Sequence, residues 1–402
     1  MKSLGRLRSF CILLTLWLIV FTSASQFLII VPILPRLTES LGFSKELGGT
    51  LVGIYGLMVG LSALLAGPIS DRFGRVLVLR IGSGFMAFSL LLHYMVWDFG
   101  SMLWVRALAG CSSGFMAGGS VAYIGDLYPY ERRGVAMGWL MSGMAFGQII
   151  GIPMGTLLAA AGGFRLPFVI LGALMCVAFV MTFFALLQPD VQRSTSLNVR
   201  SLISRYVHLM RQPDIAGVNL AGMLMMFGLS SFVVYLPAWL EVTMQASMND
   251  LALLFFLGGM AQAASSPAAG WLSDRVGRKL LIVMGCVGVS IFFALTPFVT
   301  QLWMMKVIFP LGMIFVALRI VPLRALLTAL TDAQSRGALM SLHITCNQVG
   351  FATGGVLAGW LYLYGYALSA WVAACSGLVA AGVLIWWVPE PNILGKAKGN
   401  TD

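Results

Sequence analysis

Residues 67–75 read Gly-Pro-Ile-Ser-Asp-Arg-Phe-Gly-Arg, and residues 270–278 read Gly-Trp-Leu-Ser-Asp-Arg-Val-Gly-Arg. The two stretches share glycine, serine, aspartate and arginine at equal spacing and stand 203 residues apart (274 minus 71). The same displacement carries Arg133-Gly134 onto Arg336-Gly337, Met137 onto Met340, Gly147 onto Gly350 and Gly151 onto Gly354. One shift that superimposes separate loops and apolar segments marks an internal duplication, two halves of the same topology.

Each copy lies between long apolar runs. The chain has 402 residues, 59% hydrophobic and only 10% charged, with a mean hydropathy of +0.92. A soluble domain carries about 25% charged residues, whereas a bundle facing lipid needs few. Runs able to cross a bilayer lie near residues 10–34, 48–66, 76–97, 102–124, 134–160 and 165–187, and again near 214–238, 251–270, 280–299, 303–327, 337–361 and 367–388. That is twelve spans, so both termini lie on one side. The first 26 residues imitate a secretory signal, with Lys2, Arg6 and Arg8 before an apolar run and Ser23-Ala24-Ser25 after it. The run resumes at Phe27 and reaches Leu34, too long for a signal core, and is read as an uncleaved first span.

The net charge of +11 does not indicate a nucleic-acid partner, because the basic residues sit in short loops rather than on one solvated face. Of 25 Lys and Arg, only Arg36, Lys45, Arg165 and Lys306 fall outside when the N-terminus is placed in the cytoplasm, and Arg106, Arg319 and Arg324 fall within spans. The positive-inside bias thus places both termini in the cytoplasm, in an inner membrane. The six cysteines all lie in apolar runs without metal or disulfide spacing and read as packing residues. His93, His208 and His343 are far apart, which argues against an enzyme; no cofactor and no metal are expected.

The paired G-x-x-x-D-R-x-G-R loops resemble motif A of the major facilitator superfamily, and residues 10–388 are similar to its twelve-helix drug:proton antiporter branch. The resemblance implies an all-α integral membrane fold, twelve transmembrane helices in two pseudo-symmetric six-helix bundles. The expected divisions are an N-terminal bundle at 1–187, a cytoplasmic linker at 188–213 that holds either an amphipathic segment around Val199 to Met210 or an unstructured loop, a C-terminal bundle at 214–395 and a tail at 396–402. It further implies alternating access by a monomer in the lipid bilayer, with a small-molecule substrate and protons as coupling ion. A charge latch is expected from Gly67, Asp71, Arg72, Gly74 and Arg75, with Asp126 and Glu131 as partners, and from Gly270, Asp274, Arg275, Gly277 and Arg278. Gly74 suits a tight turn and Gly67 a close helix approach.

Arg106 begins a stretch similar to motif B, R-x-x-x-G. An arginine within a span costs about 2.5–3.5 kcal/mol on insertion scales, so it either faces a polar interior, where coupling or substrate binding is the expectation, or snorkels to the outer edge. Gly138, Gly147 and Gly151, with Pro153 and Gly155, resemble motif C of the exporters, a stripe suited to a sliding or gating contact or to plain packing. Ile152 takes the motif's proline position and Thr156 its last glycine. Pro32, Pro35 and Pro237, the last following Tyr235, mark outer ends able to bend.

No Asp or Glu falls clearly within the bilayer core. Asp126 and His343 are the titratable candidates for coupling, Arg319 and Arg324 candidates for an anionic group, and Gln26, Tyr55, Asn219, Asn347 and Gln348 the polar residues expected at the cavity among methionine and phenylalanine. The leading expectation is proton-coupled export of drugs or amphipathic small molecules. The alternatives are a dedicated exporter or importer of one metabolite, such as a sugar, amino acid or organic anion, and a non-transporting membrane receptor.

Overall fold

In hydrocarbon every backbone amide has to be paired within its own segment, so apolar runs of this length become helices. The computed structural model describes residues 6–189, 199–331 and 336–389. The 396–402 tail, linker residues 190–198 and the Glu131 side chain lie outside the described residues. Span 1 is Arg6–Leu28 continued by Ile30–Leu41. Spans 2, 3 and 4 are Gly48–Phe73, Arg75–Leu92 and Phe99–Leu127. Span 5 runs through Tyr130–Phe146, a π-helical turn at Gly147–Gly151, and Ile152–Gly162; span 6 is Arg165–Ala185. Span 7 is Pro213–Val233 followed by Leu236–Met244, and spans 8 to 12 are Met248–Val276, Arg278–Leu295, Leu302–Ala329, Arg336–Tyr362 and Tyr366–Trp387.

Among the described residues, eleven stretches are long and apolar enough to cross a membrane by length and composition alone, and span 11 is not among them. Its 27 residues are long enough, but Ser341, His343, Thr345, Asn347 and Gln348 lower its hydropathy. Those groups turn toward other helices rather than lipid. The lipid-facing surface is apolar instead: Phe85, Phe88, Phe183 and Leu378 are exposed, while Thr15, Thr22, Ser83 and Ser290 are buried. Exposed Trp97, Trp303 and Tyr364 ring one end of the bundle and Trp271, Trp386 and Trp387 the other, as aromatic belts do at the two interfaces.

The duplication is visible in the packing. Span 1 packs on spans 5 and 6, span 2 on span 4, and span 3 on spans 4 and 6; span 7 packs on spans 11 and 12, span 8 on span 10, and span 9 on spans 10 and 12. Each pairing in the first half thus has its partner six spans later. Glycines set these contacts, as expected where lipid removes the hydrophobic drive between helices. A Cβ on Gly147 or Gly151 would overlap Phe21 or Ser25 of span 1, and one on Gly350 or Gly354 would overlap the backbone of Met223 or Phe227 of span 7.

Between the halves the pairings are span 2 with span 11, span 5 with span 8, and the broken ends of spans 1 and 7 with each other. The apolar core tells which end is shut. At the end away from the termini one cluster runs through both halves, joining Ile30, Leu34 and Leu51 to Val234, Leu251 and Phe351. At the termini end the core is split, with Ile12, Leu79 and Tyr123 in one cluster and Ile215, Leu326 and Leu339 in another. The halves therefore meet at the far end and part toward the termini. The amphipathic segment of the linker is a helix, Val199–Met210. It buries Leu209 in the second half, and Tyr206 donates to the Leu64 carbonyl of the first at 3.1 Å.

Candidate functional site

Span 1 breaks where Pro32 removes the donor that the Leu28 carbonyl needs and its ring crowds that oxygen. The helix Arg6–Leu28 therefore ends inside the protein, with the negative end of its dipole and unpaired carbonyls. Arg106 reaches this end from span 4. Its Nη1 donates to Gln26 Oε1 at 2.9 Å and to the Gln26 carbonyl at 3.3 Å, and Nη2 donates to the Phe27 carbonyl at 3.3 Å. The guanidinium also lies 4.3 Å from the Tyr55 ring centroid, and Gln26 Nε2 donates to the Tyr55 hydroxyl at 2.7 Å. Arg106 is fully buried, so the snorkelling alternative does not hold: the internal helix end is a nearer partner than the membrane edge. Two residues expected at the cavity, Gln26 and Tyr55, thus form one cluster with Arg106.

Asn219, His343 and Asn347 form a second cluster between spans 7 and 11. Asn219 Nδ2 donates to the Ile215 carbonyl at 2.8 Å, which turns its Oδ1 toward His343 Nδ1 at 3.2 Å. Asn347 Nδ2 stands 3.0 Å from His343 Nε2. Arg319 is apart from this cluster, 1% exposed beside Cys286. Its Nη2 is 3.5 Å from the Met225 carbonyl, and its Nε has no partner. Gln348 belongs to neither cluster and packs at Gly56 of span 2. The described Asp and Glu side chains are all absent from the buried set.

In the paired loops, Gly74 and Gly277 turn the chain with φ of 99° and 107°, a region open to glycine. Asp71 and Arg75 pair at 2.6 Å, and Arg75 Nε donates to Asp126 at 2.7 Å. In the second copy Arg278 and Asp274 approach to 3.4 Å and Arg278 Nη1 donates to the Ala325 carbonyl at 3.0 Å. Ala329 stands where the repeat would place a second Asp126. Arg72 and Arg275 lie over Phe73 and Trp271. Every one of these pairs stays within its own half. The expected latch therefore ties spans 2, 3 and 4 together in this conformation rather than the two halves, because the halves are apart at this end. The same separation corrects the reading of Gly67: a Cβ there would meet nothing within 4 Å, and one on Gly270 only Val321 at 3.7 Å.

The span 5 stripe also differs from expectation. Gly138 faces open space, and the run in contact is Gly143, Gly147, Gly151 and Gly155 against Trp17, Phe21, Ser25 and Ile29. Spacing of four places these glycines on one face, and the π turn at Gly147–Gly151 is of a kind frequent at functional positions. The stripe packs within its own half; across the halves, span 5 offers Ile149, whose Cα lies 3.2 Å from a Cβ built on Gly259 of span 8. Pro153 is buried at the first turn after the bulge.

The seam that closes the far end was not singled out from the sequence. A Cβ on Gly49 would overlap the Gly355 carbonyl, and one on Gly53 would stand 3.1 Å from the Ala352 carbonyl. Thr345 donates to the Gly60 carbonyl at 2.8 Å, and Phe27 meets Phe351 with centroids 5.1 Å apart. The Gly49-x-x-x-Gly53 and Gly56-x-x-x-Gly60 spacings were the available signal. Tyr235, at the break of span 7, fastens the seam: its hydroxyl accepts from Gly49 N at 2.9 Å and donates to the Lys45 carbonyl at 2.7 Å. Outside this seam, Leu34, Glu39, Lys45, Glu241 and Tyr362 line a cavity of about 500 Å³.

The sequence profile of the Major Facilitator Superfamily matches residues 16–259 and 218–401. The chain is 26% identical over 350 residues to an uncharacterized MFS-type transporter, YceJ, of Bacillus subtilis, covering 86% of this chain and 89% of that one. It is 26% identical over 385 residues to the multidrug resistance protein MdtG of Salmonella typhi, covering 92% and 93%. Among solved structures, a D-xylose-proton symporter matches with a TM-score of 0.74 at 18% identity, over 95% of this chain and 98% of that one. The human organic anion transporter MFSD10 matches with a TM-score of 0.74 at 18% identity, over 93% and 99%.

Proposed function

This chain belongs to the Major Facilitator Superfamily, and from that premise we propose that it is a proton-coupled exporter of drugs or other amphipathic small molecules. It is a multi-pass membrane transporter and not an enzyme; the finer assignment is the reading supported here. The observation that carries export of amphipathic compounds is the likeness to the multidrug resistance protein MdtG over nearly the whole chain. The interior agrees with it. Two polar clusters lie in an otherwise largely apolar interior, where Met86, Met102, Met225 and Met313 and the rings of Phe232, Phe292 and Phe309 stand among aliphatic side chains, a lining that adapts to varied apolar shapes.

The protein works as a monomer in the inner membrane with both termini in the cytoplasm, and the conformation described faces the cytoplasm. Alternation then closes the termini end on the paired loops while the seam at Gly49, Gly355 and Tyr235 opens. In that movement Asp71, Arg75 and Asp126 hold the end of span 2 as one rigid piece.

A second reading is transport of an organic anion, favoured by Arg319, whose guanidinium is buried with an unpartnered Nε. A buried cation short of partners is stabilised by an arriving anion. Purified protein in proteoliposomes separates the two. Uptake of a panel of unrelated amphipathic cations and neutral dyes is measured with and without an imposed pH gradient. Gradient-driven uptake of several unrelated compounds is expected; transport confined to one carboxylate or phosphate compound selects the second reading, and no gradient response removes proton coupling.

A further inference from the structure

We infer that His343 is the proton-binding group of this transporter and that Asn347 is a two-position switch that records its charge. The inference rests on the proton-coupled reading above and names the atom that reading lacks.

The geometry fixes the tautomer. Asn219 Oδ1 can only accept, so His343 Nδ1 is the protonated nitrogen. Asn347 presents its NH2 to Nε2, so Nε2 carries the lone pair and the ring is neutral. Both ring nitrogens are satisfied in this state, yet one atom of the cluster is not: Asn347 Oδ1 is buried without a partner. A proton added to Nε2 reverses the requirement, because Nε2–H then faces a donor. Rotation of the Asn347 amide by about half a turn about χ2, nearly neutral in shape, brings the orphaned Oδ1 to Nε2 and removes the NH2. Asn219 cannot respond in the same way, since its own NH2 is held by the Ile215 carbonyl. The cluster therefore has one fixed amide, one free amide and an acceptor left over for the charged state. The Nε2 lone pair takes its proton from water and returns it to water, with no other bond changed.

The cluster packs directly on Gly222, which has no side chain to displace it. A Cβ on Gly222 would stand 2.5 Å from Asn347 Oδ1 and 2.6 Å from His343 Cε1. Asn347 is half-buried while His343 is 6% exposed, so the switch lies between the ring and solvent. Among the described residues the charged group acting on the ring is Arg324 of span 10. Span 7 offers Asn219 and Gly222, and span 11 itself offers Cys346. The linker helix directs Tyr206 to the Leu64 carbonyl and leaves Arg205 and His208 exposed, and span 2 offers the uncharged Gly60 carbonyl. With a like charge nearby, the acceptor supplied by Asn347 becomes the main support of a protonated ring.

The placement links proton to movement. His343 and Asn347 face span 7 of their own half, whereas Thr345, Gln348, Ala352 and Gly355 on the same helix form the seam with span 2. A charge gained on one face of span 11 is a helix width from the contact that has to open. The neutral ring, found in the conformation open toward the termini, is the state after release on that side.

The test is histidine-selective 15N spectroscopy on the full chain in lipid nanodiscs, with His343 assigned by its loss in His343→Gln. A change from the Nδ1–H form to the doubly protonated ring is expected as the pH is lowered from 9 toward 4. In Asn347→Leu the proton affinity should fall at least tenfold, and Gly222→Ala should lower it in the same direction with the ring still present. A His343 signal that stays in the neutral form across this range, or an unchanged titration in Asn347→Leu, overturns the inference. Ethidium flux in proteoliposomes separates the two levels of claim. His343→Gln should lose at least tenfold of pH-driven flux in protein that remains folded by thermal unfolding. If His343 titrates but wild-type protein shows no pH-driven flux of any panel compound, the coupled-export reading falls and the site stands; driven flux with His343 fixed neutral sinks the site alone.

Discussion

Tyr235→Phe isolates the fastening of the far-end seam. The substitution keeps the ring, which stacks on Tyr362 with centroids 4.9 Å apart, and removes only the hydroxyl. One accepted and one donated hydrogen bond between the halves go with it, the first from Gly49 N at 2.9 Å and the second shared between the Lys45 carbonyl at 2.7 Å and the Glu46 carbonyl at 3.2 Å. Each is worth about 1 kcal/mol net, and leaving a buried donor unpaired adds to this, so the closed conformation loses about 2 kcal/mol. The open conformation loses nothing, since the bonds do not exist there. A loss of about 2 kcal/mol is roughly a 30-fold shift, which raises a minor conformer from about 1% to roughly a quarter of the population. Double electron–electron resonance between spin labels at Glu39 and Thr243, one on each half, in a cysteine-depleted background, reads this as a growing long-distance peak. Tyr366→Phe is the control: its hydroxyl donates to the Phe232 carbonyl within one half at 3.0 Å, so its distance distribution should match wild type. If Tyr235→Phe also matches wild type in a folded protein, the hydroxyl does not hold the halves together and the reasoning fails.

Gly49→Ala places a methyl on the Gly355 carbonyl, an overpacking cost of about 1–3 kcal/mol carried by the closed seam alone; the same labels should report a far end that opens more often. Arg106→Lys replaces a planar fork by a single point of donors, so the Gln26 and Phe27 carbonyls at the broken helix lose their partners and stability should fall by about 2–3 kcal/mol, read as thermal unfolding in detergent; an unchanged midpoint would show that water caps that end equally well. Asp126→Asn removes the partner of Arg75 at 2.7 Å, a partly exposed pair worth about 1 kcal/mol; transport should fall more than stability does if the loop moves as one piece, and equal falls would make it a local staple.

Much of the fold could be read along the chain. Hydropathy located the spans, because in lipid the choice of helix is made by local composition. The 203-residue displacement gave the two halves, and the packing pairs repeat with it. Gly74 and Gly277 were readable as turns because only backbone freedom was at stake. Of the candidate site, Gln26, Tyr55 and Arg106 were named separately and the fold brings them together, as it does Asn219, His343 and Asn347. Gly67 and Gly138 were misjudged, since a glycine's sequence spacing says that a helix is able to approach and not that one does.

What the sequence determined by itself is therefore the membrane environment, the duplicated twelve-span plan and the chemical inventory of its interior. These follow from local hydropathy and from spacing along one helix. Which end of the bundle is shut, that Arg106 caps a broken helix, and that Gly49, Gly355 and Tyr235 make the seam were decided only in three dimensions. Those contacts join residues roughly 80 to 300 positions apart, so no short stretch of sequence carries them.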